Sequence, residues 1–154
     1  MKILILSSIL VIFVSCNNVN FQRFNEEEDR IEGEKITNAY FDNLLLGDYE
    51  RNVSLFSQGF FEHTSKEHYI HKCSFVENHL GEIVSRNLAK WETNVIEGAI
   101  NKAEYIFVYD VVRENYTSTE SFFLIKDFTT DSIKIHKYNI ESQGLLIPEA
   151  RLDL

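Results

Sequence analysis

The segment EHTSKEHYIHK, residues 62–72, gathers Glu62, His63, Glu67, His68 and His71 into one short stretch. Carboxylates and imidazoles are the common ligands of divalent metals and the common carriers of protons. On a helix His68 and His71 stand three apart and Glu67 and His71 four apart, so both pairs share a face, with His63 or Glu62 reaching from the preceding turn. His68 and His71 are therefore the metal candidates. No His-Glu-x-x-His signature sets that geometry, and Lys66 and Lys72 between these residues read as a charged face turned to solvent. No metal and no cofactor is expected.

Nucleophilic chemistry has less to start from. The chain contains no Gly-x-Ser-x-Gly turn, and Cys73 would need His71 or His79 as a base, with Cys73 and His79 nearly two helical turns apart. Its six glycines are scattered and form no phosphate-cradling loop, so nucleotide binding is not expected. A formal charge of −9 disfavours nucleic acid, whose binding depends on Lys and Arg displacing counterions from phosphates. A basic protein partner is compatible with it.

The elements that would position these residues follow from periodicity. Ile36, Tyr40 and Leu44, beside Ala39, Phe41 and Leu45, predict an amphipathic helix. Gly47 and Asp48 then mark a left-handed cap followed by a new N-cap, and Thr64 with Glu67 forms a capping box. Behind that box Tyr69, Cys73, Val76 and Leu80 line one face as far as Gly81. Strands are expected at Ile83-Val84, from Leu88 to Ile96, from Glu104 to Arg113, from Thr119 to Lys126 and from Ser132 to Glu141. In the last of these the apolar parity switches between Ile133 and Ile135 and Tyr138 and Ile140, which predicts a bulge near His136 or Lys137. Helices followed by consecutive strands predict an α+β fold, with N-terminal helices packed on a curved antiparallel sheet. With 154 residues, 44% of them hydrophobic, one core is expected.

Ahead of the helices the chain opens MKILILSSILVIFVSCNN. Lys2 and the apolar run from Ile3 to Val14 fit a signal segment, since a membrane-crossing helix needs about 20 apolar residues. Val14-Ser15-Cys16 resembles the lipobox of bacterial lipoproteins. The resemblance implies a signal peptide at residues 1–15 and a diacylated, palmitate-bearing Cys16 as the new N-terminus. It also implies a mature chain held by lipid on a membrane of the bacterial cell envelope, expected to be the outer membrane, with a periplasmic or surface face. Residues 16–34, polar and carrying Glu26-Glu27-Glu28-Asp29, read as a flexible acidic tether. With Cys16 acylated, Cys73 has no partner for a disulfide, and its place on an apolar stripe predicts burial.

The run ITNAYFDNLLLGDYERNVSLFS, the second helix and the strands YIFVYDVV, SFFLIKD and IKIHKYNI, from about Ile36 to Ile140, resemble small bacterial envelope proteins with a nuclear transport factor 2-like cone, which implies a cone-like domain over residues 35–142. A cystatin-like arrangement is the alternative. Residues 143–154 would form a C-terminal tail. The cone resemblance implies that any acid-base residues would line an open pocket, which directs attention to Tyr109, Asp110 and His136. Asp110 also reads as an outward residue of a half-exposed sheet. The expected function is a membrane-tethered, non-enzymatic envelope lipoprotein binding a protein partner or an apolar ligand. One alternative is an inhibitor or immunity-type lipoprotein neutralising a cationic protein, because loss of residues 1–15 removes Lys2 and no acidic residue, taking the formal charge from −9 to −10. Another is a pocket-based hydrolase or isomerase.

Overall fold

The acidic run at residues 26–29 begins a helix. The computed structural model describes residues 19–146, so the expected signal peptide, Cys16 and the end of the C-terminal tail lie outside the described residues. Phe21–Phe24 is a short strand, β1, and Glu27–Leu45 is helix α1. The expectation of a flexible tether over residues 16–34 is thereby corrected from Phe21 onward. Glu27, Glu28 and Asp29 fill the first turn of α1, where unpaired N–H groups and the helix dipole favour negative charge. Arg23 on β1 donates to both carboxylate oxygens of the buried Asp29, at 3.1 and 3.2 Å, and to Glu97 at 2.8 Å. Charge that looked like solvated tether is a helix start clamped by one arginine.

Along α1 the residues Asp29, Gly33, Thr37, Tyr40 and Phe41 are buried, at the three- and four-residue spacing of a single face. Gly33 permits close approach to the sheet, because a Cβ there would lie 2.5 Å from the Phe107 ring. As the Gly-Asp corner predicts, Gly47 takes φ 65° and the Asp48 side chain caps the short helix α2, Tyr49–Val53, by accepting from the Arg51 N–H. A 3-10 turn, Gln58–Glu62, leads into α3, Lys66–Leu80. The cap of α3 is Ser65, which accepts the His68 N–H at 3.0 Å, one residue beyond the predicted Thr64. Ser65 has the extended backbone that an N-cap requires, with φ −82° and ψ 160°.

The strands β2, Ile83–Glu97, β3, Lys102–Arg113, β4, Thr117–Asp127, and β5, Ser132–Glu141, run as an antiparallel meander. β1 pairs with the far end of β2, Phe21 opposite Glu97, giving the sheet order β1-β2-β3-β4-β5. The chain is thus an α+β protein with helices against an antiparallel sheet. The two strands expected between Ile83 and Ile96 are one, interrupted by irregularities between Ile83 and Ser85 and between Leu88 and Lys90. In β5 the bulge falls at His136: Leu124 pairs with Ile135, Phe123 with Lys137, and His136 opposes neither.

Tyr105, Phe107, Tyr109 and Val111 of β3 are buried, whereas Ile106, Asp110 and Val112, at alternate positions, are exposed. The buried face meets the helices through aromatic edges, with ring centroids 5.0 Å apart for Tyr40 and Phe122 and 5.1 Å for Phe41 and Tyr109. The free edge of β5 is closed at one point, where the Ile135 N–H donates to the Leu55 carbonyl and the Ser57 N–H donates to the Ile135 carbonyl, both at 2.9 Å. At the opposite margin the described chain begins beside the β2–β3 turn, with the Ile100 N–H donating to Asn20 Oδ1 at 2.9 Å.

Candidate functional site

Helix α3 bridges a gap that the core does not fill. Its first half leans on a cluster of rings, Tyr69 lying 4.8 Å from Phe56 and 6.0 Å from Phe60 between centroids. Its far end is tied to the β3–β4 turn, where the Leu80 carbonyl accepts from the Asn115 N–H at 3.0 Å and the Glu82 carbonyl from the Glu114 N–H at 3.1 Å. Under this span lies a cavity of about 600 Å³, within the range that holds small-molecule ligands. It is lined by Tyr40 and Leu44 of α1, Tyr49 of α2 and Phe60 of the 3-10 turn. Tyr69, Cys73 and Val76 of α3 and Ile83, Arg113 and Tyr138 of the sheet complete the lining. Exposed Glu62, His63, His68, Lys72, Glu82 and Lys137 also line it.

The polar groups of the wall concentrate around one guanidinium. Arg113 Nη2 donates to Glu120 Oε1 at 2.7 Å, and the two side chains are 3% and 0% exposed. Glu120 is further satisfied by the Ser118 hydroxyl at 3.2 Å and the Tyr138 hydroxyl, which donates to Oε2 at 2.7 Å. Arg113 is not: its Nε–H has no partner, and Nη1 reaches only the Gly81 carbonyl at 3.4 Å. The buried Tyr69 hydroxyl also lacks a hydrogen bond of ordinary geometry, its polar neighbours being Tyr40 and Cys73. Burial pushes the hydroxyls of Tyr40, Tyr69 and Tyr138 above the usual phenol range and the Cys73 thiol up to about 11, so all four keep their protons at neutral pH. Glu77 is raised as well, by desolvation and by neighbouring Glu82, against the pull of Arg113.

The residues singled out in the sequence are dispersed. His136 lines the cavity, and its Nδ1 shares a hydrogen bond of 3.0 Å with Ser57 Oγ. Tyr109 lies in the core under α1, its hydroxyl paired with Thr37 Oγ1 at 2.7 Å. Asp110 is exposed on the other face of the sheet. His68 lines the cavity, while His71 is exposed and does not. Among the described residues no three His, Cys, Asp or Glu side chains converge where a metal ion could be held. No described helix is long and apolar enough to cross a membrane. Cys16 lies outside the described residues.

Sequence reasoning passed over Arg113 and Glu120, yet their parity marks them. Arg113 continues the inward series Tyr105, Phe107, Tyr109, Val111, and Glu120 precedes the inward Phe122 and Leu124 by even steps. Opposite charges at core positions on either side of one turn are the signal. No family model matches the chain, and neither the curated proteins nor the solved structures compared with it contain a match.

Proposed function

We propose that the protein is a lipid-anchored lipoprotein of the bacterial cell envelope whose nuclear transport factor 2-like cone binds a small, largely apolar ligand without transforming it. The observation that carries this reading is the cavity of about 600 Å³ walled by Tyr40, Phe60, Tyr69, Val76, Ile83 and Tyr138. Apolar walls with a few fixed polar groups are the usual form of a ligand pocket. The anchor rests on the lipobox resemblance at Cys16.

Two measurements test the halves of the reading separately. Organic extracts of the full chain purified from native envelopes should contain a compound that disappears when Cys73→Trp fills the cavity; extracts identical for the two proteins overturn ligand binding. Cys16→Ser should release the chain from membranes or leave it unprocessed, and normal fractionation of that variant overturns the anchor.

One contact favours a second reading, hydrolysis of the ligand: the pairing of Ser57 Oγ with His136 Nδ1 beside the cavity resembles a nucleophile and its base. Ser57 Oγ also accepts from the Phe60 N–H at 3.3 Å as the cap of the 3-10 turn. Covalent labelling of Ser57 by a fluorophosphonate, abolished by His136→Ala, would establish hydrolysis over simple binding.

A further inference from the structure

The β2–β3 turn and the chain beside it form an exposed apolar corner. Val19 is 55% exposed, Phe21 70% and Ile100 60%. Antiparallel register places them together: Phe21 pairs with Glu97, and Asn20 and Val19 continue along the turn. A Cβ on Gly98 would run into the Val19 carbonyl oxygen and lie 3.0 Å from Asn20 Cα, which is why glycine, at φ 141°, stands there. The Ile100 N–H fastens the turn to Asn20 Oδ1 at 2.9 Å. The corner is thus built, with its apolar side chains held out in water. Single exposed apolar residues are ordinary, but three fastened at one corner mark a contact surface.

What selects the occupant is the chain that leads here. Val19 stands three residue steps from Cys16, at most about 11 Å of extended chain. The head-group layer on each side of a bilayer is about 5 to 8 Å deep, so a lipid on Cys16 would hold this corner at the membrane surface. Charge agrees with that placement. In a chain of formal charge −9, residues 17–25 and 98–103 carry Arg23, Lys102 and no carboxylate. Both cations are matched within the fold, Arg23 by Asp29 and Glu97 and Lys102 by Glu104, so apolar contact is what the corner offers. We propose that Val19, Phe21 and Ile100 form a docking surface for the lipid bilayer, entering its interface beside the acyl chains of Cys16 and turning a one-point tether into a seated contact. This rests on the reading of Cys16 as the anchor.

The full chain purified from native envelopes is reconstituted into vesicles of phosphatidylethanolamine and phosphatidylglycerol, with or without lipids brominated near the top of the acyl chains. Phe21→Trp, Ile100→Trp and Val84→Trp each place an indole at an exposed apolar position, so the fold is left intact. Val84, 65% exposed at the start of β2, is the distant comparison. Trp91, the chain's one tryptophan, stays in every variant, and emission is read as the excess over the parent. Brominated lipid should remove most of the excess from Phe21→Trp and Ile100→Trp, whose indoles would sit about 5 to 10 Å into the boundary of head groups and acyl chains, and leave that of Val84→Trp unchanged. In a chain that floats with the vesicles, an excess retained by Phe21→Trp or Ile100→Trp, or lost equally from Val84→Trp, overturns the docking surface and leaves the anchor standing. Emission shifted to the blue but unquenched in Phe21→Trp and Ile100→Trp means that a second copy covers the corner, and overturns the bilayer as its occupant. A chain that does not float with the vesicles overturns the anchor, and the docking surface with it.

Discussion

The guanidinium of Arg113 and the carboxylate of Glu120 form an ion pair at 2.7 Å with almost no access to solvent, at the end of the sheet that closes the cavity. Removing either charge strands the other in a low-dielectric site. Arg113→Met or Glu120→Leu alone should each cost about 3 to 5 kcal/mol of stability, whereas the two together should cost far less than their sum. Urea unfolding of the four proteins completes the cycle; additive losses would show that the pair is not coupled.

Gly33 presents a case in which helix propensity and packing oppose each other. Alanine improves α1 by up to about 1 kcal/mol as a helix former, but its Cβ would lie 2.5 Å from the Phe107 ring and 3.2 Å from that of Tyr105. Overpacking against two buried rings should win, so Gly33→Ala is expected to destabilise by about 1 to 3 kcal/mol. Thermal unfolding reads the sign.

The clamp of Arg23 on Asp29 makes the start of α1 depend on β1. Asp29 is buried and accepts both hydrogen bonds from one guanidinium. Asp29→Ala leaves Arg23 its bond to Glu97 only, and should cost about 1 to 3 kcal/mol. Amide exchange should quicken in β1 and the first turns of α1 before anywhere else.

Cys73 sets a dependence on alkaline pH. Its thiol is raised from about 9 to about 11, chiefly by burial. An unfolded chain therefore loses this proton first, and between those values it binds fewer protons than the folded one. Stability carried by the protonated thiol is complete below pH 9 and is lost as pH rises toward 11. Cys73→Ala should flatten that segment of the stability profile. In the native chain, alkylation of Cys73 should accelerate with a midpoint near 11 rather than in the ordinary thiol range.

Much of the fold could be read from the chain because its signals are local. Alternation along β3 and β4, the Gly47-Asp48 corner and the parity change around His136 each reflect a constraint acting over a few residues. Residues 21–34 depart from the tether expectation for the opposite reason. Phe21 and Phe24 remain exposed, and what orders them is pairing with Asn94–Glu97 and the Arg23 bond to Glu97, some 70 positions away. The site was hidden in the same way. His68 and His71 share helix α3, yet only His68 lines the cavity, whereas Arg113, Glu120, Tyr69 and Tyr138 come from four elements that only the completed sheet and α3 bring together.

The pairing of β1 with the far end of β2 also determines how a molecule held at Cys16 would stand. Four residue steps separate Cys16 from Asn20, at most about 14 Å of extended chain, so the fold would be moored on a short leash rather than a long one. Asn20 is fastened to the β2–β3 turn, and the cavity is lined at the other end of β2 by Glu82 and Ile83, roughly 40 Å away along the strand. If Cys16 is the anchor, the turn is the part of the fold nearest the bilayer, and the cavity lies toward the far end of the sheet.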